Sequence, residues 1–401
     1  MDNRKSVLII SAVFPPEQVT SAFLNYDLAH ELAKKYEVTV LRPYPTRPIG
    51  AKFESAEVED KSFKTILVDS YTHPQSELLG RFRESISFGR QCVNYIKNHI
   101  NEIDFIYNGP WQLFGVYIIA RAAVKNNIPY LMGVQDIYPE SLLTGHNYPK
   151  LVKKVIKALF LPMDRYYTSH AFRVRTISME MAHYMAKTRH LPIDHYLVLD
   201  NWQNDEDFDM LPTRIQDDRL VFSYVGSINV HSNVELIIRA FYEANIPNSE
   251  LRIYGGGNKK DHCVQVVSEL QAKNISFGFV DRNKVPSVQS EADVLVLALP
   301  YGNGGLCLPS KMTSYMLSGK PILASIDADS ATVRYIREAQ CGISVEPDNL
   351  EAMKEGFIKF GLLPKGEIIQ MGLNSKAYAE QNLTRRSNLP KLVAVFDEYL
   401  Q

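Results

Sequence analysis

The residues with the most chemistry in them lie between two apolar runs, in Gly304-Gly-Leu-Cys-Leu-Pro-Ser-Lys311. Val294-Leu-Val-Leu-Ala-Leu299 reads as a buried strand, and Pro300-Tyr-Gly-Asn-Gly-Gly305 breaks it. Ser310 is expected to cap a helix that ends at Gly319, and Lys320-Pro-Ile-Leu-Ala-Ser325 opens the next strand. A helix that starts just past a strand end turns its unpaired backbone N–H groups toward the sheet edge, where α/β proteins bind anions. Lys311 falls in the first turn and adds a cation there. The same pattern also fits an ordinary crossover helix whose lysine meets only solvent.

Other chemistries find less support. Asp207-Phe-Asp209 and Asp327-Ala-Asp329 have the form of a metal-diphosphate device, but neither directly follows a buried strand. They read as hinge and helix-cap acids, and no metal is predicted. Gly255-Gly-Gly257 lacks the third glycine of a dinucleotide fingerprint, which disfavours a nicotinamide dehydrogenase. Cys92, Cys263, Cys307 and Cys341 are far apart with no CxxC pair, so neither a zinc site nor a disulfide framework is indicated and a reducing cytosol fits.

The elements that must position these residues alternate strand and helix. Ser6-Val-Leu-Ile-Ile-Ser-Ala-Val13 is a continuous apolar run of the kind found in central parallel strands, and Phe14-Pro-Pro-Glu17 ends it. A helix over 21–35, strands at 37–41 and 104–107, a helix over 113–125 and a strand at 129–134 continue the rhythm, followed by strand-like runs at 172–178 and 195–202. The polar run 203–209, with Pro212 and 216–218, reads as a linker. Strands at 219–225, 251–254, 275–280 and 293–297, with a helix over 233–243, then rebuild the pattern. At 401 residues the chain suits two domains of roughly 200 residues, each an α/β unit with a doubly wound parallel sheet.

Four separated motifs carry a resemblance: Phe14-Pro-Pro-Glu17, Asp136-Ile-Tyr-Pro-Glu-Ser141, Asp200-Asn-Trp202, and Pro309-Ser-Lys311 with Gly319-Lys-Pro321. Together they closely resemble the GT-B glycosyltransferases of family four, in the branch that makes bacterial surface polysaccharides such as O-antigen and capsule. The resemblance covers nearly the whole chain and implies two facing Rossmann-like domains. Residues 1–205 would take the acceptor, 206–385 the nucleotide sugar, and a helix over 386–401 would cross back. The implied reaction is retaining transfer of a hexosyl or N-acetylhexosaminyl group from a UDP- or GDP-linked donor to a hydroxyl of a lipid-linked surface glycan, with no further cofactor.

The resemblance also assigns residues. It places the base beside Gly278, Phe279 and Val280, and the diphosphate beside Gly226 and the loop Gly304, Gly305, Leu306, Cys307, with Ser227, Gly255, Ser310, Lys311 and Ser314 completing the donor set. Asp136 and Lys311 are the catalytic candidates; Tyr138 and Glu140 lie on the acceptor side, with a surface acid as the other reading of Glu140. The chain departs from the family in three places. Two family glutamates are replaced by Leu306 and Ser314, and the glycine pair after the first strand by Gln18-Val-Thr-Ser21, so that the Thr20 and Ser21 hydroxyls are expected near phosphate. No Arg or Lys follows Gly226, which leaves Lys311 as the main cation and His231 as the next.

Composition agrees with a globular protein: 45% hydrophobic, 22% charged, formal net charge -1. That balance disfavours a nucleic-acid binder. Met1-Asp-Asn-Arg-Lys-Ser6 runs into Val7-Leu-Ile-Ile10, too short for the apolar region of a signal sequence, and no apolar run approaches the roughly 18 residues of a membrane span, so a cytoplasmic protein is expected. Lys150-Leu-Val-Lys-Lys-Val-Ile-Lys-Ala-Leu-Phe160 separates lysines from apolar residues at helical spacing. It fits either a helix lying on the anionic inner face of the cell membrane or a core-packed helix with a solvated lysine face. Two rival functions share the fold: a non-catalytic GT-B scaffold subunit, which would explain the lost glutamates, and a nucleotide-sugar 2-epimerase.

Overall fold

The structure, a computed structural model, describes residues 4–47, 52–53, 55–73, 77–110, 113–143, 148–211, 217–302 and 308–400. The chain divides into two units, Met1–Leu199 together with Leu389–Gln401, and Asp200–Asn388. The first unit holds strands β1 (Ser6–Ile10), β2 (Glu37–Arg42), β3 (Lys64–Leu67), β4 (Phe105–Asn108), β5 (Tyr130–Gly133), β6 (Arg173–Thr176) and β7 (Tyr196–Val198), in the order β3-β2-β1-β4-β5-β6-β7. The second holds β8 (Leu220–Val225), β9 (Ser249–Tyr254), β10 (Ile275–Gly278), β11 (Val294–Ala298), β12 (Ile322–Ser325) and β13 (Gly342–Val345), in the order β10-β9-β8-β11-β12-β13. Every pairing is parallel.

Parallel sheets need both faces covered, and the central strands carry apolar residues on both. Val7 to Ile10 and all of β11 are buried. In the second unit, helices on the two sides of the sheet close separate cores, one around Phe222, Phe241 and Phe357 and the other around Leu295, Tyr315 and Tyr335. Strand order reverses beside β1 in the first sheet and beside β8 in the second. Ligands of doubly wound folds bind outside the carboxyl ends of the strands at such points, which directs attention to the ends of β1, β4 and β5 in one unit and of β8 and β11 in the other.

Several expected elements take different bounds. The strand expected over 6–13 stops at Ile10; Ser11 N–H still donates to the Leu41 carbonyl at 2.9 Å, while Ser11 Oγ donates to the Val13 carbonyl at 2.5 Å and accepts from Asn25 Nδ2 at 2.6 Å. Ser310 does not cap its helix. Pro309 is the N-cap, Ser310 is the first helical residue, and the helix Ser310–Leu317 closes through Ser318 with Gly319 at φ +67°. One acid of the linker region caps a helix: Asp205 accepts the N–H groups of Arg385 (2.7 Å) and Arg386 (3.0 Å), which open the Arg385–Leu400 helix, whereas Asp209 pairs with the Arg386 side chain at 2.9 Å. Asp327 is likewise no cap, since Ser330 accepts from Val333 N–H while the Asp327 carboxylate accepts from Gly302 N–H at 3.0 Å.

The basic segment forms the start of the Lys150–Ser169 helix. Its inward face is anchored by the buried Asp164 and Tyr167, but Leu151 (73% exposed) and Leu159 (63%) face outward beside the lysines, together with Val152 and Val155. Most of this half of the helix is therefore exposed, while Phe160 at its end packs against Phe114 with ring centres 5.7 Å apart. No helix among the described residues is long and apolar enough to cross a membrane.

Candidate functional site

In the second unit the site is built from one helix and three strand ends. Lys311 and Tyr315 are one turn apart and share a face of the Ser310–Leu317 helix. The Tyr315 hydroxyl brackets the end of β8, accepting from Val225 N–H at 2.8 Å and donating to the Val225 carbonyl at 3.1 Å. This clamp lays Lys311 across Gly226: a Cβ on that residue would come within 1.9 Å of Lys311 Cε, so any side chain there would push the lysine aside. Gly255, just past the end of the neighbouring strand, is held to glycine by backbone, since a Cβ there would lie 1.9 Å from the Gly226 carbonyl oxygen. Backbone bonds from Gly226 N–H to the Tyr254 carbonyl (2.9 Å) and from Gly255 N–H to the Gly278 carbonyl (3.2 Å) tie the three strand ends together.

Lys311 Nζ donates to Tyr224 Oη at 2.6 Å and sits 4.7 Å from the centre of that ring, while the Tyr224 hydroxyl donates to the Ser227 carbonyl at 2.6 Å. No carboxylate among the described residues forms an ion pair with Lys311. Burial, with nothing to offset it, lowers the Lys311 pKa from 10.5 to about 8. A half-buried ammonium at a helix N-terminus, with no counter-ion among the described residues, is an arrangement that an anion would relieve.

The remaining donor candidates divide. Gly226, Ser227, Gly255 and Gly278 lie on the laced strand ends, with the Lys311 side chain packed against Gly226. Phe279 is 76% exposed beside Gly278, Val280 leans on the core, and Ser227, His231 and Ser310 are exposed, with His231 N–H held by Asn229 Oδ1 at 2.9 Å. Ser314 points inward: its hydroxyl donates to the Lys311 carbonyl at 3.0 Å and accepts from the Gln289 amide at 3.1 Å. Gly304, Gly305, Leu306 and Cys307 lie outside the described residues.

The first unit has its own pocket at its switch point, a cavity of about 200 Å³ with Ser21, Arg47, Arg81, Gln135, Asp136 and Tyr138 as its polar lining. Ser21 Oγ donates to Gln135 Oε1 at 2.7 Å; Thr20, the first residue of the helix Thr20–Leu32, is half-buried. The Asp136 surface opens into the pocket, yet the surrounding protein desolvates its carboxyl and raises its pKa, an effect that the Arg81 charge only partly offsets. Glu140, expected on the acceptor side or at the surface, is instead turned inward and buried. Arg189 grips it through two bonds of 2.9 Å and Tyr184 donates a third, also 2.9 Å. Burial opposes its ionisation, but these partners outweigh that and hold its carboxyl below the ordinary range.

Sequence reading missed Arg47, Arg81, Tyr224 and Tyr315. Arg47 is placed by Glu17 of the Phe-Pro-Pro-Glu motif, whose buried carboxylate accepts the N–H groups of Thr46 and Arg47, each at 2.9 Å. The only sequence signal for Tyr315 is its spacing of four from Lys311. Among the described residues no group of three or more His, Cys, Asp or Glu side chains could hold a metal ion.

Comparisons with known proteins bear on this geometry. Residues 205–368 match the family described as Glycosyl transferases group 1. An Escherichia coli K12 protein, WcaI, whose name assigns it as a glycosyl transferase of colanic acid biosynthesis, is 23% identical over 55% of this chain and 56% of its own. The chain spans about half the length of the curated relatives it matches. Among solved structures, sucrose-phosphate synthase from Thermosynechococcus elongatus superposes with a TM-score of 0.74 at 14% identity, covering 99% of each chain. Anabaena HepE in complex with UDP and glucose superposes at 0.67 and 12% identity, covering 98% of this chain and 100% of its own. The chain thus has the GT-B fold, and residues 205–368 carry the match to Glycosyl transferases group 1.

Proposed function

We propose that the chain is a retaining glycosyltransferase that moves a hexosyl or N-acetylhexosaminyl group from a UDP- or GDP-linked donor to a hydroxyl of a lipid-linked surface glycan. The observation that carries this reading is Lys311, an ammonium packed over Gly226 at the switch point of the second sheet with no carboxylate partner among the described residues. The diphosphate of a donor supplies the missing charge. In the reaction the bond from the anomeric carbon to the diphosphate breaks, the bond to the acceptor oxygen forms on the same face, and the acceptor proton leaves with the diphosphate. Negative charge develops on the leaving group, where a fixed cation and oriented N–H dipoles stabilise it most. In the first unit, Asp136 orients the acceptor hydroxyl and Tyr138 lines its pocket. The UDP bound by HepE and the colanic acid role in WcaI's name support the donor and acceptor classes.

The test is incubation of the purified chain with UDP- and GDP-sugars, alongside thermal unfolding with UDP, GDP, CMP and dTDP. One of UDP or GDP should raise the midpoint by mass action, and the matching sugar donor should be slowly hydrolysed with release of the nucleoside diphosphate. Inversion at C2 without hydrolysis would make the protein an epimerase. No nucleotide binding at all would make it a scaffold.

A second surface belongs to this reading. Lys150, Lys153, Lys154 and Lys157 flank the outward-facing Leu151, Val155 and Leu159 on one helix, a combination that fits an anionic bilayer surface. Each lysine contributes about 1 kcal/mol near such a surface. Replacing Lys153, Lys154 and Lys157 by Glu should release the protein from phosphatidylglycerol vesicles and leave donor hydrolysis in solution unchanged. Undiminished vesicle binding would remove this helix from the account.

A further inference from the structure

The pocket of the first unit has a charge pattern that glycosyl transfer alone does not explain. Two arginines and one aspartate line it, Arg47, Arg81 and Asp136, so two cationic side chains face the cavity against one acidic one, with the Glu84 partner of Arg47 set behind the wall. Its volume of about 200 Å³ is below the roughly 300–1,000 Å³ of sites for drug-sized ligands, which limits the occupant to about one sugar ring. Val13, Val19 and Met132 supply an apolar wall suited to the C–H face of such a ring.

Arg47 is held in place before any ligand arrives. Glu17 fixes its backbone N–H at 2.9 Å, and Glu84 takes one guanidinium nitrogen at 2.9 Å. Glu84 is itself buried, is fastened by His73 N–H at 3.1 Å, and does not line the cavity. A guanidinium carries five N–H donors in a rigid fork, and one fixed from behind loses little freedom when it meets an anion. Arg81 lies close enough to Asp136 and Tyr138 for its charge to act on both. An acid group held by Arg81 would therefore sit beside the Asp136 carboxyl.

We propose that this pocket recognises the acceptor through an acidic group on its terminal sugar, a carboxylate or a phosphate, held by Arg81 and Arg47. The inference rests on the glycosyltransferase reading and narrows its acceptor class from any hydroxyl-bearing glycan to an acidic one. Arg81 sets the position of the acid, and Arg47 closes the charge balance from the side of the Glu84 pair.

The experiment titrates the full chain with methyl glucuronide, glucose 6-phosphate and methyl glucoside, following binding by saturation-transfer NMR, with and without UDP. One or both acidic probes should bind at least about ten-fold tighter than the neutral glucoside, the scale of one charged hydrogen bond. The better of the two identifies carboxylate or phosphate. Arg81→Gln should remove that preference while keeping the unfolding midpoint, and Arg47→Gln should reduce it. If Arg47→Gln fails to fold because Glu84 loses its partner, Arg81→Gln alone decides. Equal binding of all three probes, a preference that survives Arg81→Gln, or displacement of the acidic probe by UDP would each overturn the proposal. Binding of UDP to the chain is read in the same samples, so failure of the glycosyltransferase reading is seen separately.

Discussion

The two units solve the problem of a buried charge at a sheet edge in opposite ways. In the first, Arg189 is matched completely: two bonds to Glu140, one of 2.5 Å to Asp164, and one of 2.7 Å to the Tyr138 carbonyl. In the second, Lys311 has a tyrosine hydroxyl and an aromatic face but no carboxylate among the described residues. A matched buried pair gains little over an apolar replacement but is costly to break, so it acts as architecture. An unmatched one is a standing cost that only a ligand removes, and it marks a site. By this criterion Glu140 holds the loop that bears Asp136 and Tyr138, whereas Lys311 carries a charge that no carboxylate among the described residues matches.

The sharpest way to break the comparison is Arg189→Met. It leaves two carboxylates buried without their cation and should destabilise the first unit by about 3–5 kcal/mol, read as a lower midpoint in urea. A loss below about 1 kcal/mol would show that water reaches the pair and that it is not architecture. Lys311→Met should do the reverse in the second unit. Nucleotide binding should weaken by roughly 1.5–3 kcal/mol, the range for a charged hydrogen bond, while stability at pH 7 rises by about 1–3 kcal/mol as the lowered pKa implies.

The pH dependence sharpens this further. Because folding lowers the Lys311 pKa from 10.5 to about 8, the folded state holds that proton less tightly than the unfolded chain. The cost of the buried charge is complete below about pH 8 and fades as pH rises toward 10.5, so the stability gain in Lys311→Met should fade over the same window. Nucleotide affinity of the wild type should hold below about pH 8 and fall above it, by up to about ten-fold per unit. A flat profile in calorimetric titrations from pH 6.5 to 9.5 would remove Lys311 from the donor site. The smallest effect expected is none: donor hydrolysis should persist in excess EDTA, and recovery of a chelated, inactive enzyme by Mg²⁺ or Mn²⁺ would replace the lysine with a metal as the counter-charge.

Much of the fold was legible because parallel strands buried on both faces must be continuous apolar runs, and β1, β8 and β11 read that way. The segment 43–103 was not read at all. Its strand β3 is only half-buried, and its helix Leu78–Asn98 carries Glu84, Ser85 and Gly89 on the inward face, leaving Phe88, Cys92 and Ile96 as the periodic signal. That silence hid Arg81 and, through the loop before it, Arg47.

By itself the sequence determined the strand and helix alternation, the place of Lys311 at a helix start, and the glycines at the ends of β8 and β9, since each follows from local residue order. Which polar groups are matched was decided only by the tertiary structure. Glu140 and Arg189 are 49 residues apart, Lys311 and Tyr224 are 87, and Ser21 and Gln135 are 114. Nothing in local spacing encodes those meetings. They depend on the order in which parallel strands assemble and on which helix face each strand end receives, and the energy of a buried charge is fixed by its neighbours in space rather than in sequence.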